Sequence, residues 1–470
     1  MDNNASPQAT LSKINNRISV IETELSVRRN STVNFTDIES LEEHENQNQR
    51  LTSEYSDLLT ARSLQNYLIS DAAKKQADEF CRSLPMKMLN KGYRTTKLRF
   101  KNGTLIKITC VYYYVKSTYH RLKRKKGLYA ALLLLGISDR YTPTLDSTMC
   151  LVAASSSSFE EAATLINETL GFKPDVKRII SAVKIMSDNA RRAIELDEVE
   201  YPDDFSGRVV AASVDGGRIR IRKNKRGKKT EKGRTRYKTD WREPKLIIVY
   251  LISEDGTKEK KALPIIDATL GGPDATFELL IYHLAKLNVN AADMLLFVSD
   301  GAIWIWDRAD DLADKLGIDV TKCYFALDYY HAVEHLSDLA NLKSWTKSER
   351  KKWVTKQKSR LVKGELNKFM DEIIRVCKGS KNSKVKRERE YFKKHLGHMR
   401  YSELREKGLP IGSGAVESGV RRVVNLRLKG PGIFWHEETA EAMLLLRSFY
   451  KAGRWKLLKN IANTGRLAIG

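Results

Sequence analysis

The hydrophobic positions of this chain change period several times, and each change predicts a different kind of element. Leu11, Ile14, Ile18, Ile21 and Leu25 recur at spacings of three and four, which predicts one helix with a short coiled-coil seam. A second helical pattern covers about residues 51–68 and can fold back on the first or pair with another copy of the chain. The polar, acidic stretch 34–50 between them reads as a mobile connection. Residues 95–114 alternate as a hairpin about an Asn102-Gly103 turn. Further on, Ser158 to Glu161 is a capping box, and Phe159, Ala162, Ala163, Leu165, Ile166 and Leu170 form the helical stripe that Gly171 ends. Pro174 then suits the first turn of a new helix, with Val176, Ile179, Ile180 and Val183 on its apolar face and Lys177, Arg178 and Lys184 on its basic one. Helix, glycine turn and basic helix together make a helix-turn-helix pattern.

From residue 208 the pattern alternates between strands and helices. Residues 208–214, 218–222, 246–252 and 262–266 read as strands, the first three as antiparallel neighbours. An amphipathic helix (275–287), a buried strand (294–298), a helix (304–316) and a strand (323–327) follow. That order matches the ribonuclease-H fold, whose nucleases carry one acid on the first strand and another after the fourth; Asp215 and Asp300 fall at those places. Residues 329–399 read as a charged helical insertion anchored by Trp345, Trp353, Leu361 and Phe369. A Gly/Ser turn at 412–414 opens a helix bearing Glu417, and 437–447 form a last amphipathic helix.

Charge changes the picture. Lys and Arg number 83 against 58 acids, a net of +25, which favours a polyanionic partner. The excess clusters at 121–126, 218–242, 343–363 and 378–394. The stretch 222–238 is dense enough to repel itself without a partner, so phosphate contacts are expected there from Arg222, Lys223, Lys225, Arg226, Lys228, Lys229, Arg234 and Arg236. Further contacts are expected from Lys177, Arg178 and Lys184, and from Arg421, Arg422 and Arg427 beyond Glu417. The five scattered cysteines show no CxxC spacing, the first residues hold no signal-peptide core, and the apolar run 128–137 is far below the ~20 residues of a membrane span. A reducing cytoplasm is the expected location.

Six ordered stretches carry a family resemblance: SVDGGRIRIR, TDWREPKL, DATLGGPDATFELL, VSDGAIWIWDR, LDYYHAVEHL and LPIGSGAVESGVRRVVNLRLKGPGIFW. From about Phe159 to Leu457 the chain resembles the DDE-type transposases of bacterial insertion sequences, nearest to the Kra subgroup. The resemblance implies a ribonuclease-H-like catalytic domain that cuts and transfers DNA strands at transposon ends with two Mg²⁺ or Mn²⁺ ions. Matched motif to motif, its catalytic and metal-holding acids are Asp215, Asp300 and Glu417. Relatives often carry paired cysteines ahead of the helix-turn-helix; this chain has none there, and no zinc is expected. Hard oxygen ligands suit such ions, which in turn relieve the repulsion among clustered acids. Asp328 and His331 share one helical face: Asp328 is a reserve ligand, and His331 is read as a structural or substrate-orienting group rather than a ligand. A ribonuclease-H-fold nuclease without strand transfer and a DNA binder without catalysis are the alternatives.

The expected architecture is thus an α/β core, a ribonuclease-H-like mixed sheet flanked by helices, at 205–328 and 401–470, interrupted by a helical insertion at 329–400. Ahead of it lie a helical arm (1–70), a small α+β region (71–154) and a helix-turn-helix-like region (155–198), mainly α and DNA-binding. Double-stranded DNA is the expected partner, with the chain acting as a dimer or larger assembly.

Overall fold

In the computed structural model the described residues are 6–115, 127–137, 139–225, 227–231, 233 and 235–467. The basic tract at 120–126, Arg226 and Arg234 lie outside them. The chain forms two compact units, residues 1–198 with 459–470, and residues 199–458. The expected arm, small α+β region and helix-turn-helix region are therefore one unit, and the core and its insertion another, except that residues 459–470, expected in the core, belong to the first.

The first unit begins with α1 (Pro7–Asn30) and α2 (Ile38–Ile69), a hairpin within the chain. Ile14, Ile18 and Ile21 are buried in one cluster with Leu58, Ala61 and Leu68, so the predicted seam is used internally. Arg17 grips Glu54 with two bonds of 2.7 Å. α2 begins well before the predicted residue 51, because Asp37 and Ser40 form a capping box and Arg28 reaches Gln47 and Asn48. The expected mobile connection is mostly helix. After α3 (Asp71–Ser83), the predicted hairpin is present as β1 (Met88–Arg99) and β2 (Leu105–Val115), with β3 (Gly127–Leu128) at the end of β2. Its turn is held from below by the buried Asp57, which accepts the backbone N–H groups of Asn102 and Thr104. Gln65 takes a strand's place beside β2, accepting from Thr109 N–H and donating to its carbonyl, both at 2.8 Å.

A short α4 (Ala130–Leu134) precedes α5 (Pro143–Ser155), α6 (Phe159–Leu170) and α7 (Val176–Glu195), which pack on one another. Ser158 caps α6, Gly171 ends it in the left-handed conformation, and Asp175 caps α7. The two helices and the Gly171 turn stand where the local signals put them, although Pro174 precedes the Asp175 cap instead of standing in the first turn of α7; α5, with its small and apolar residues, carried no periodic signal.

The second unit is built on a five-stranded mixed sheet of order β10-β9-β4-β7-β8. Its members are β4 (Val209–Gly216), β7 (Lys245–Leu251), β8 (Ile265–Thr269), β9 (Met294–Ser299) and β10 (Cys323–Leu327). The first three in chain order run antiparallel, and β9 and β10 run parallel to β4. β7 is buried along its whole length and β4 at its centre, as helices on both faces require. α8 (Gly272–Lys286) packs on β7 and β8, and α9 (Ile303–Ala309) and α10 (Leu312–Leu316) replace the single predicted helix at 304–316.

One expected strand is not in this sheet. Residues 218–222 belong to β5 (Ile219–Asn224), which pairs with β6 (Tyr237–Arg242) in a separate two-stranded ribbon. Gly216 and Gly217 let the chain leave the sheet, and the true neighbour of β4 is β7. The helical insertion comprises α11 (Tyr329–Asn341), α12 (Lys347–Val362), α13 (Leu366–Cys377) and α14 (Ser383–His395), with Leu361 and Phe369 fully buried as expected. After α15 (Tyr401–Glu406) come α16 (Gly414–Val420), a π-helical stretch at Arg421–Asn425 and α17 (Leu426–Leu428). α18 (Glu437–Lys451) covers β8, and α19 (Trp455–Leu467) ends the described chain. No helix among the described residues is long and apolar enough to cross a membrane.

Candidate functional site

Parallel neighbours bring acids distant in sequence to one level. β4 and β9 pair with Ala212 opposite Phe297, and Ser299 donates from its hydroxyl to the Val214 carbonyl. Continuing that register puts Asp215 level with Asp300. β10 pairs with Leu327 opposite Ser299, and the Asp328 N–H donates to the Ser299 carbonyl at 2.8 Å, so Asp328 completes the row. These three acids stand at the carboxyl ends of adjacent parallel strands, where open α/β sheets place their sites. Glu417, on the exposed side of α16, approaches from another direction: Val416, Gly419 and Val420 are buried where α16 packs on β4 and β7. A Cβ on Gly419 would come within 3.0 Å of Leu246, so the helix lies unusually close to the sheet.

The carboxyl of Asp215 is pushed up to about 6, first by burial, against a 2.6 Å bond from the Gly216 N–H. The negative charges of Asp300 and Glu417 push it further up, and His331 pulls it back. Asp300 is also raised, again first by burial, with the Ala302 N–H and His331 opposing and Asp328 and Glu243 adding. The three expected acids therefore share an electric field. They are not closed into a ligand cluster, however: among the described residues no group of three His, Cys, Asp or Glu is gathered tightly enough to hold an ion. The donor set nonetheless fits hard divalent cations, being all carboxylate oxygen, with two members raised by uncompensated burial.

Asp328 has a different job from the reserve ligand expected of it. It is fully buried, and one of its oxygens caps α11 by accepting the N–H groups of Tyr330 at 2.6 Å and His331 at 3.1 Å. The other accepts the N–H of Ser413 at 2.5 Å and its hydroxyl. Both oxygens are committed, so Asp328 pins the turn from which the Glu417 helix starts. Asp328→Ala removes a helix cap and leaves the buried Ser413 N–H unpaired, and should destabilise the second unit by about 3 kcal/mol. Ser413→Ala, which keeps the backbone bond, should cost about 1–2 kcal/mol. Urea titration of both variants checks the ranking.

His331 is a third exposed, its positive charge opposes the rise of both Asp215 and Asp300, and its Nδ1 lies 3.6 Å from Glu334. Two neighbours were not expected. Glu243 sits so near the end of β4 that a Cβ on Gly216 would meet its Oε1 at 2.3 Å, and it bonds the buried Lys245 at 2.8 Å. Tyr391 of α14 packs where Gly301 has no side chain, beside Asp300, and its hydroxyl is held far above the usual tyrosine range by burial and then by Asp300. Both become visible only once the register of β7 and the path of the insertion are known.

The expected DNA-contacting cations divide. Lys225, Lys228, Lys229 and Arg236 are exposed on the ribbon and its loop, as are Lys177 on α7 and Arg421. Lys223 is exposed 3.4 Å from Asp240, Arg222 is half-buried, and Arg422 donates to the Lys451 carbonyl. Lys184 is half-buried. Two expectations fail. Arg178 is largely buried, paired with Asp146 and 4.5 Å from the Tyr141 ring, because α7 turns that face to α5. Arg427 is 4% exposed and lies over Trp435, so it packs the core behind the π-helical stretch. Against known proteins, the chain matches no family model and no curated protein.

Proposed function

We propose that the second unit is a metal-dependent DNA strand-cutting and strand-joining domain, and that the protein is a transposase of the DDE type. One observation carries the reading: Asp215 and Asp300 end adjacent parallel strands, and Glu417 comes from a packed helix near enough for its charge to act on Asp215. The strand order supports it. Numbered from β4, the sheet reads 3-2-1-4-5 with only the second strand antiparallel to its neighbours, the arrangement of the ribonuclease-H fold. The exposed basic ribbon, which leaves directly from Asp215, supplies the charge that would hold a phosphate backbone.

Asp215, Asp300 and Glu417 would hold the divalent ions. Bound there, two such ions supply activation of the attacking water or 3′-hydroxyl and stabilisation of the leaving oxygen. The chain's own residues do the positioning. Asp328 fixes the Glu417 turn through Ser413, and the Gly216 and Ala302 N–H groups each fix one carboxylate oxygen of Asp215 and Asp300. His331, whose charge acts on both carboxyls, would orient a phosphate oxygen or the attacking hydroxyl.

The test offers purified full-length protein a labelled duplex made from the DNA flanking its own coding segment, a supercoiled target plasmid, and Mg²⁺ or Mn²⁺. Label joined to plasmid is the expected result. Nicks without joining support a nuclease of the same fold, and binding without either defeats the enzymatic reading.

A further inference from the structure

Resting on that reading, we infer that the outward face of the β5–β6 ribbon is a stacking platform for an unpaired base of the bound DNA strand. β5 alternates strictly: Ile219 and Ile221 are buried at 0% and 1%, so Arg218, Arg220 and Arg222 point the other way. On β6, Trp241 lies directly opposite Arg220 and therefore on the same outward face. The guanidinium of Arg218 is 4.7 Å from the Trp241 ring and that of Arg220 is 5.7 Å away. Trp241 nevertheless remains 48% exposed.

β6 is exposed along almost its whole length, and the half-open indole of Trp241 is the largest aromatic surface that strand offers a ligand. The chemistry beside it selects the ligand. Arg218, exposed beside the ring, offers a bidentate contact to phosphate, while Arg220 is committed to the Gly430 carbonyl and the Phe434 ring; the indole offers a π face that any base can use. An intact duplex keeps its base faces stacked within and presents only backbone and groove edges, so the lysines of the neighbouring loop suffice for it. An unpaired base presents the face that Trp241 can take. The position is apt: Gly216 and Gly217 alone separate Arg218 from Asp215, which keeps their Cα atoms within about 11 Å. A nucleotide splayed from the helix beside the cutting point would find the platform next to it.

The experiment measures binding of the full chain without divalent metal to two labelled DNAs: a duplex with a short single-stranded overhang and the fully paired duplex of the same sequence. Trp241→Ala should weaken binding of the overhang duplex about 5- to 100-fold and change that of the paired duplex less than about twofold. Trp241→Phe, which keeps a ring, should recover most of the loss. Equal loss on both DNAs, no loss on either, or an effect on self-association alone overturns the proposal. The two readings fail separately. Wild-type protein that cuts DNA while Trp241→Ala binds both DNAs normally removes only the platform. Wild-type protein that never cuts, yet loses overhang binding with Trp241, removes only the cleavage chemistry.

Discussion

Asp215→Asn, Asp300→Asn and Glu417→Gln, made singly, should each lower the proposed metal-dependent strand cutting by at least about 100-fold and leave binding of the duplex within about twofold. The lower bound follows from metal sites generally. A partner that merely orients a ligand is worth about 10–100-fold, and the ligand itself cannot be worth less. The substitutions are near-isosteric and sit at strand and helix positions whose packing comes from other residues, so the fold should persist. Asp215 keeps an acceptor for the Gly216 N–H, and Asp300 one for the Ala302 N–H, because an amide oxygen can replace the carboxylate oxygen. Glu417 is exposed and has no packing to lose. The exposed lysines of the ribbon loop are untouched, which should preserve the proposed DNA binding and a steep salt dependence. Gel assays of cutting beside anisotropy measurements of binding separate the two effects. Full cutting by any one variant removes that acid from the site.

The order of elements was legible because the sheet strands of this unit are short apolar runs bounded by turn residues, and because Asp215 and Asp300 each follow such a run directly. Their meeting was not legible in the same way, since parallel register is set by crossover helices rather than by neighbouring residues. The ribbon was misread for a related reason. Its alternation of isoleucine and arginine is the same on a sheet edge as on a separate hairpin, and only pairing with 237–242, a stretch with no apolar period, distinguishes them. Arg178 and Arg427 fail as DNA contacts because charge is visible in a sequence and its burial partner is not: Asp146 and Trp435 lie 32 and 8 positions away. Asp328 looked like a ligand from its place after a strand, and the bond that commits it comes from Ser413, 85 residues on.

Metal-free protein should be more stable as Asp215→Asn than as wild type above neutral pH. The Asp215 carboxyl is raised to about 6 in the folded state, from a value near 3.8 when exposed. A carboxyl raised on folding favours the folded state fully below its unfolded value. That contribution fades as pH rises from about 4 and is gone above about 6, where the folded chain must carry a buried anion next to two others. The penalty at pH 8 is about 2–3 kcal/mol, which for a unit of this size corresponds to roughly 5 °C or more in Tm. Asp215→Asn therefore unfolds at a higher temperature than wild type at pH 8, and the two converge as pH falls toward 4. A divalent ion should act in the opposite sense on the pair. It compensates the anions and stabilises wild type by about 2.7 kcal/mol at a concentration 100 times its Kd, but has little to neutralise in the variant. Melting curves in EDTA and in Mn²⁺, at pH 5 and pH 8, read both effects without any DNA present. Identical melting of the two proteins at pH 8 in EDTA would mean that the charge on Asp215 is already neutralised within the protein, and a cation would then have no vacancy of charge to fill.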